Sequence, residues 1–443
     1  MFSKVKKPVS VVLCLLLLAF CFFAPSASAA STNQSESGIQ SIWQRFVAFF
    51  NRLFQTIKDL FRGTKPENPP EPPSEPKPPA EPEPLTAIKI ISSDKVCELK
   101  TSENNPRNSE GDFAFLPDGR ILFAYSKYRS GTGDDDDPCD IAGMISSDKG
   151  RTFTELPELL ARASEHNTVN IMNVSLEVLK DGTVCLFYLV KNSDGSLESS
   201  YVMRKSELDT LSFGEPVDVI PNIPGDYYVV NNCRTQQLAD GRIIVAAARH
   251  RIDNVNGANQ MRYVAEDVVY ISDKNVTGFS RCSGFISLDH ANSTTGMQEP
   301  GIQILPDGSY RLYARTDLGY QYESFSPDGI NWTSPFPSSF ESPVSPMLIE
   351  RNPYSGLYYA IWNPYAYVPG SGTGSGRTRT PLVIAQSRDG IAFTDFTVLE
   401  DDSESGFCYP AIGFLSENEM LVSYLFGPAN RLAETRIRRL RVE

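Results

Sequence analysis

The sequence predicts an all-β fold, a six-bladed β-propeller. The main observation is a repeated hairpin of two apolar strands joined by a tight turn, with about 60 residues from one copy to the next. In four copies the turn is Asp-Gly, which favours short hairpins because Gly accepts a positive φ. Short antiparallel strands at this period, without strong helical segments, are typical of propellers, and six copies predict six blades. The turns lie at Asp118, Asp181, Asp240, Asp307, Ser355 and Glu417.

A second repeated motif supports this fold. SSDKGRTF at 146–153 matches S-x-D-x-G-x-T-[F/W], and 326–332 and 387–393 are shorter copies. In such an Asp-box turn the Asp accepts backbone N–H groups, the Gly supplies a positive φ and the aromatic ring packs inward. These turns are predicted to join the two outer strands of a blade.

The chain divides into four parts. Residues 1–30 combine a Lys-rich start, a short apolar run and an Ala-rich end, and this pattern predicts a secretory signal peptide. Residues 31–64 hold an amphipathic helical segment, and 65–85 are a Pro/Glu-rich linker in extended polyproline form. The propeller is predicted to occupy 86–443.

The helical segment repeats aromatic and aliphatic residues at three- and four-residue steps over 38–62. Such a face binds a membrane, a cell wall or a protein partner, or it docks on the chain's own folded domain. Because the linker holds the helix away from that domain, we favour an external partner. We therefore expect a secreted or extracellular protein that is attached to a surface.

Charge and cysteine usage exclude two classes of function. A net charge of −13 and a pI near 4.9 exclude a general nucleic-acid binder. The six cysteines outside the signal lie tens of residues apart without a Cys-x-x-Cys pair, which excludes a compact zinc site. The sequence predicts no metal or other cofactor, and it leaves open whether these cysteines are free or form one or two disulfides.

One end of the repeated hairpins carries polar residues. In a propeller, the first strand of each blade lines the central channel, and its end far from the hairpin turn opens on one face. Most of the residues eight positions before the turns have side chains that can form hydrogen bonds. The competing interpretation is that the solvent-filled mouth of a channel is usually polar in any case. The six residues are Glu110, Asn173, Asn232, Glu299, Met347 and Tyr409.

Arginines accompany these polar residues. Glu299 and Arg315 are equally distant from the Asp307 turn, so a hairpin brings them side by side. Arg379 lies eight residues before Ser387 of a later Asp box. Convergent guanidinium groups make a planar receptor for a carboxylate. The competing interpretation is surface ion pairing with the many acidic residues.

These motifs resemble the sialidase (neuraminidase) superfamily. The resemblance rests on six blades with Asp boxes, a hairpin Glu with an Arg sixteen residues later, an Arg before a late Asp box and a Tyr in the last blade. EGDF and YYVVNN resemble a diverged bacterial sialidase-like branch. The resemblance implies that Tyr409 is the nucleophile, that Glu299 activates it, and that Arg315 and Arg379 belong to an arginine triad that holds the sugar carboxylate.

Two positions depart from the family pattern. Glu110 stands near the place of the first triad arginine, and Arg107, Arg129 and Arg234 are the candidates that compensate for it. The acid/base Asp of the family would fall near Ser126, where no Asp exists. Among the acidic residues of the following loop, which include Asp140, we select Asp135 and Asp137. The competing interpretation of this loop is a solvated segment or a Ca²⁺ site.

The predicted function is hydrolysis of a terminal α-linked sialic acid from glycoconjugates by a secreted exo-glycosidase. The predicted catalytic residues are Tyr409, Glu299, Asp135 and Asp137, and the predicted substrate-binding residues are Arg315, Arg379, Arg234, Glu110 and Asn232. Two alternatives remain: a glycosidase of the same fold for another acidic sugar, with Glu110 and Glu299 as acid and base, and a non-catalytic glycan-binding propeller. Sialylated or other acidic glycans are the expected partners, and nucleic acid is not.

Overall fold

The computed structural model describes residues 85–193, 196–208, 210–365, 379–429 and 431–443. They belong to one compact unit that extends over 83–443. The predicted signal peptide, the helical segment and all of the linker except Leu85 lie outside the described residues. Within the described ranges, no helix is long and apolar enough to cross a membrane.

The described secondary structure consists of β-strands and one short 3₁₀ helix, Ala163–His166, which confirms the all-β class. After β1 (Ile90–Leu99), the strands form six consecutive antiparallel units. The first unit contains β2 (Asn108–Phe115), β3 (Ile121–Tyr128), β4 (Cys139–Ser146) and β5 (Thr154–Glu155). The second contains β6 (Asn170–Val178), β7 (Val184–Lys191), β8 (Ser199–Lys205) and β9 (Val217–Ile220). The third contains β10 (Asp226–Val229), β11 (Thr235–Gln237), β12 (Ile243–Val255), β13 (Ala258–Ser272) and β14 (Phe279–Arg281).

The remaining three units follow the same pattern. The fourth contains β15 (Gln298–Ile304), β16 (Tyr310–Arg315), β17 (Tyr320–Ser326) and β18 (Phe336–Glu341). The fifth contains β19 (Leu348–Arg351), β20 (Tyr358–Trp362), β21 (Leu382–Ser387) and β22 (Thr397–Glu400). The sixth contains β23 (Ser405–Phe414), β24 (Glu419–Pro428) and β25 (Glu434–Val442), and β1 completes it by pairing antiparallel with β25.

The inner strands of neighbouring units contact one another. The contacts run from β2 through β6, β11, β15 and β19 to β23, and β23 contacts β2. A single parallel bridge, Cys139 to Asn170, joins the first two units into one eight-stranded sheet. The buried side chains form clusters that take members from neighbouring units, such as Phe123 with Leu421, so the core lies between the sheets.

The predicted turns have the expected local structure. In the four Asp-Gly turns the glycine φ lies between 85° and 91°. Each Asp carboxylate accepts the N–H two residues later, at 2.9 to 3.2 Å. Between β4 and β5, Asp148 accepts the N–H groups of Arg151 and Thr152, and Asp328 and Asp389 repeat this arrangement in later units. Such turns satisfy donors that would otherwise compete with strand pairing.

Candidate active site

Four inner strands carry a bulge at the same place. The antiparallel register shifts between Ser109 and Asp112, and again at the matching positions of the second, fourth and sixth units. At each shift a non-glycine residue takes a left-handed backbone, which costs about 1–2 kcal/mol. A bulge also redirects a side chain out of the strand alternation. The four residues are Glu110, Asn173, Glu299 and Tyr409, with φ of 45°, 62°, 52° and 53°.

These side chains meet in a cavity of about 600 Å³. It takes lining residues from several units. The polar and aromatic ones are Glu110, Asp135, Asp136, Asn173, Lys191, Asn192, Glu198, Tyr227, Asn231, His250, Tyr263, Thr295, Gln298, Glu299, Arg315 and Tyr409. A larger cavity of about 920 Å³ beside Arg431 and Glu434 holds none of the predicted site residues. We therefore place the candidate active site in the first cavity.

Glu299 contacts both a phenol and a guanidinium. The Tyr409 hydroxyl lies 3.5 Å from Glu299 Oε1, and Arg315 Nη1 lies 3.2 Å from Glu299 Oε2. Burial raises the pKa of Tyr409, and Glu299 adds to the rise against the opposing effect of two nearby arginines, so the phenol is neutral at rest. The strand partner of Arg315 is Gln298 and not Glu299, because the bulge shifts the register by one residue.

Arg379 is a half-buried cation that forms no ion pair within the described part of the chain. Its Nη1 lies 3.2 Å from Cys408 Sγ, its Nη2 donates to the Val344 carbonyl at 3.4 Å, and its guanidinium lies 5.4 Å from the centroid of the Tyr409 ring. Its Nε has no hydrogen-bond partner, and among the described residues no carboxylate forms an ion pair with it. A desolvated guanidinium in this state favours an incoming anion.

A third arginine, Arg107, directly precedes β2 and is one of the predicted candidates to compensate for Glu110. Arg107 Nη2 lies 2.5 Å from Glu110 Oε1, and Arg107 Nη1 lies 2.6 Å from Asp135 Oδ1. Of the three candidates to compensate for Glu110, only Arg107 contacts it. Arg129 pairs with Asp140 at 2.7 Å.

The acidic loop is anchored to the strands. Asn170 Nδ2 donates to the carbonyls of Asp135 and Asp137, at 3.0 and 2.6 Å, and Lys191 Nζ donates to the Asp135 carbonyl at 2.9 Å. The Asp137 carboxylate accepts backbone N–H groups of residues 132–134 and does not line the cavity. Asp135 does line it. Within the described ranges no group of acidic, His or Cys side chains could hold a metal ion, and the six cysteines are free.

Two of the predicted substrate-binding residues, Arg234 and Asn232, lie outside the cavity. Arg234 Nη2 donates to the Met347 carbonyl at 2.8 Å, and Asn232 Nδ2 donates to the carbonyls of Gly111 and Pro410, at 2.9 and 3.3 Å. Neither residue lines the cavity. Asn231 lines it instead of Asn232, and the left-handed residue nearest to this position is Cys233, with φ of 56°.

Several buried polar atoms in or beside the cavity lack a hydrogen-bond partner. They are Asn173 Oδ1, Asn231 Nδ2, Arg315 Nε and Arg379 Nε. Buried polar groups are normally satisfied, so such a concentration indicates a polar ligand. The spacing argument missed Asn231 and Lys191. Asn231 differs from the predicted position by one residue, whereas no sequence signal identifies Lys191.

Comparison with known proteins agrees with this geometry. The chain belongs to the BNR repeat-like domain family, which it matches over residues 119–420. It is a diverged member of the sialidase-like superfamily. A sequence search among curated proteins finds no match.

Solved structures show the same fold at low sequence identity. A Dyadobacter fermentans protein of unknown function has a TM-score of 0.61 and 17% identity, over 81% of this chain and 100% of its own. The NanB sialidase of Streptococcus pneumoniae has a TM-score of 0.57 and 14% identity, over 78% of this chain and 70% of its own. The α-L-arabinofuranosidase Arb93a of Fusarium graminearum has a TM-score of 0.54 and 14% identity, over 80% of this chain and 98% of its own.

Proposed function

We propose that the protein is a six-bladed propeller glycosidase that releases a terminal α-linked sialic acid. The observation that carries this proposal is the contact between Tyr409 and Glu299 in one cavity. Arg315 lines the same cavity beside Glu299, and Arg379 lies behind it at the Tyr409 ring. The ring of contacts between the inner strands and the sialidase neighbours support the proposal.

The chemistry suits a substrate with a carboxylate on its anomeric carbon. A carboxylate nucleophile would be repelled by that group, whereas a neutral phenol is not. Glu299 takes the phenolic proton as Tyr409 attacks, and sialidases are the glycosidases in which a Tyr does this work. The Arg379 guanidinium over the Tyr409 ring stabilises the developing phenolate. Arg379 and Arg315 bind the sugar carboxylate.

The structure also motivates a second candidate. Glu110 lines the cavity where the family places an arginine, and an arabinofuranosidase shares the fold. Fold alone does not decide the sugar. A glycosidase for another sugar predicts turnover of a different aryl glycoside from a panel, with no turnover of the sialoside.

The test uses the full chain and an aryl sialoside. Tyr409→Phe and Glu299→Gln should each lower kcat/KM on the order of 1,000-fold or more, because each removes a group that acts in the transition state. Tyr354→Phe is the matched control, since its ring is 57% exposed at the turn end, and it should keep full activity. Turnover retained by Tyr409→Phe contradicts the assignment. Glycan binding without turnover by any form supports a binding protein instead.

We also propose export through residues 1–30 and surface attachment through residues 38–62. The Lys-rich, apolar and small-residue order of the first segment and the aromatic face of the second support this. Fractionation of producing cells, with and without residues 38–62, tests the attachment. Equal release of both forms into the medium contradicts it.

A further inference from the structure

We propose that Glu110 donates the proton to the leaving oxygen, and that Arg107 and Asp135 hold it in place. This assigns the acid to the inner strand of the first unit and not to the acidic loop. The inference rests on the proposed glycosidase function. It deepens that function by naming the proton donor and by giving Asp135 a positioning role.

The first argument is the arrangement of charges. Arg107 lies between two carboxyl groups, at 2.5 Å from Glu110 and 2.6 Å from Asp135, and both carboxyl residues line the cavity. Arg107, Lys191 and Arg315 all favour the charged form of Asp135. The Asp135 charge in turn raises the pKa of Glu110, so the arrangement favours a proton on Glu110.

The second argument is burial. The Glu110 side chain is 2% exposed, whereas that of Asp135 is 67% exposed. Water stabilises the Asp135 charge and cannot reach Glu110 to the same extent, so the proton resides on Glu110. Burial raises the pKa of Glu110, and Asp135 and Glu299 add to the rise against the opposing effect of Arg107 and of the Ser109 hydrogen bond. Partial desolvation raises the pKa of Asp135, but Arg107, Lys191 and Arg315 outweigh it, so that pKa is lowered.

The third argument is geometry. The left-handed backbone at Glu110, with φ of 45°, places its side chain at the cavity, as it does for Glu299 and Tyr409. Ser109 Oγ contacts Glu110 Oε2 and accepts the Arg107 Nε–H at 2.9 Å, so the carboxyl orientation is fixed. A carboxyl group of raised pKa that is held in place at the cavity wall can supply its proton to a bound sugar.

The reaction balances with these residues. In the first step Tyr409 Oη bonds to the anomeric carbon as the bond to the leaving oxygen breaks. The phenolic proton moves to Glu299, and the Glu110 proton moves to the leaving oxygen. In the second step Glu110, now ionised beside Arg107, takes a proton from water, whose oxygen displaces Tyr409 from the anomeric carbon. Glu299 then returns the proton to the phenol, and the sum is hydrolysis.

The test compares two leaving groups of different acidity. An aryl sialoside with a strongly acidic phenol leaves without proton donation, whereas an alkyl sialoside needs it. Glu110→Gln should lower kcat/KM for the alkyl sialoside about 100- to 10,000-fold. The same variant should lower kcat/KM for the aryl sialoside less than about tenfold.

Asp135→Asn is the matched control. At pH values below the alkaline limb of the kcat/KM profile it should affect both substrates to a similar extent, because Glu110 is still present and protonated there. It should also move the alkaline limb of the kcat/KM profile to lower pH, because Asp135 no longer raises the pKa of Glu110. The other charged and titratable groups that influence Glu110 are Arg107, Glu299, Tyr128, Cys139 and Cys408, and both variants retain them.

The outcomes are distinct. The inference is overturned, and the proposed function is left intact, if Asp135→Asn loses more kcat/KM on the alkyl than on the aryl sialoside while Glu110→Gln loses the same on both. Absence of turnover in the wild-type chain overturns both. If Glu110→Gln does not fold, as judged by thermal unfolding, Glu110→Asp takes its place. It should retain part of the acid function and lose more activity on the alkyl than on the aryl sialoside, and equal losses on both overturn the inference.

Discussion

Both ends of the repeated hairpins contain residues with a left-handed backbone, but the residue types differ between the two ends. At the turn end, Gly119 and Gly308 take φ of 87° and 85°, and open space surrounds both. At the mouth end, Glu110, Glu299 and Tyr409 take φ between 45° and 53°. Glycine makes a left-handed residue inexpensive, whereas Glu and Tyr there cost about 1–2 kcal/mol each.

The difference shows where the fold accepts strain. The turns only reverse the chain, so any residue that tolerates the backbone suffices. The mouth residues make contacts across the ring, such as Tyr409 with Glu299, that no glycine could make. Backbone strain that persists at a cavity indicates a functional site, because the surrounding contacts must compensate for it.

The largest expected effect on stability comes from filling a glycine at the mouth end. A Cβ on Gly301 would lie 2.3 Å from Tyr313 Cζ, and the Tyr313 hydroxyl is fixed by the Ile349 N–H at 3.0 Å. We expect Gly301→Ala to lower the free energy of unfolding by about 3 kcal/mol, as overpacking does. Gly308→Ala at the open turn should lower it by about 1–2 kcal/mol. Denaturant unfolding measures both, and equal losses would contradict the contrast.

A smaller effect on stability is expected midway between the two ends, where inner strands carry the buried Asp112 and the half-buried Glu350. Burial raises the pKa of Asp112 to about 7 and that of Glu350 to about 8. A pKa above the unfolded value stabilises the fold at low pH, and this stabilisation is lost as pH rises through the folded pKa. Stability should therefore fall between pH 4.5 and 8, by on the order of 1 to 3 kcal/mol per group.

Glu350→Gln tests this pH dependence. The variant should show a flatter fall of the free energy of unfolding from pH 5 to pH 8 than the wild-type chain. Denaturant unfolding at several pH values gives the slope. A slope equal to that of the wild-type chain would show that Glu350 does not carry a raised pKa.

The smallest effect is expected at Asn173. Asn tolerates a left-handed backbone better than Glu or Tyr, so Asn173→Gly should raise the free energy of unfolding by less than about 1 kcal/mol. The same change removes the unpartnered Oδ1 from the cavity. One lost hydrogen bond of about 1 kcal/mol should lower kcat/KM roughly fivefold to tenfold. Unchanged kcat/KM would place Asn173 outside the substrate contacts.

Local rules made part of this structure predictable. The Asp-Gly turns and the pairing of strands follow from hydrogen bonds within a few residues, so counting from a turn located Glu110, Asn173, Glu299 and Tyr409. In the third unit, counting back from the turn predicted Asn232 at the cavity, but the residue that lines the cavity is Asn231. Counting also placed Glu299 opposite Arg315, although the strand partner is Gln298. Bulges shift the register of strand pairing, and the local sequence does not show where they occur.

The sequence by itself determined the all-β class, the turns and the residue types that converge, because each depends on short-range hydrogen bonding and on the alternation of apolar side chains. Only the tertiary structure decided how charges share the cavity. Arg107 contacts both Glu110 and Asp135, Lys191 anchors the acidic loop, and Asp137 accepts backbone N–H groups of that loop. Arg379 forms no ion pair with any residue that the structure describes. The contacts of Asp135 with Arg107 and with Lys191 join residues 28 and 56 positions apart, so they depend on how the strands and the acidic loop pack against one another.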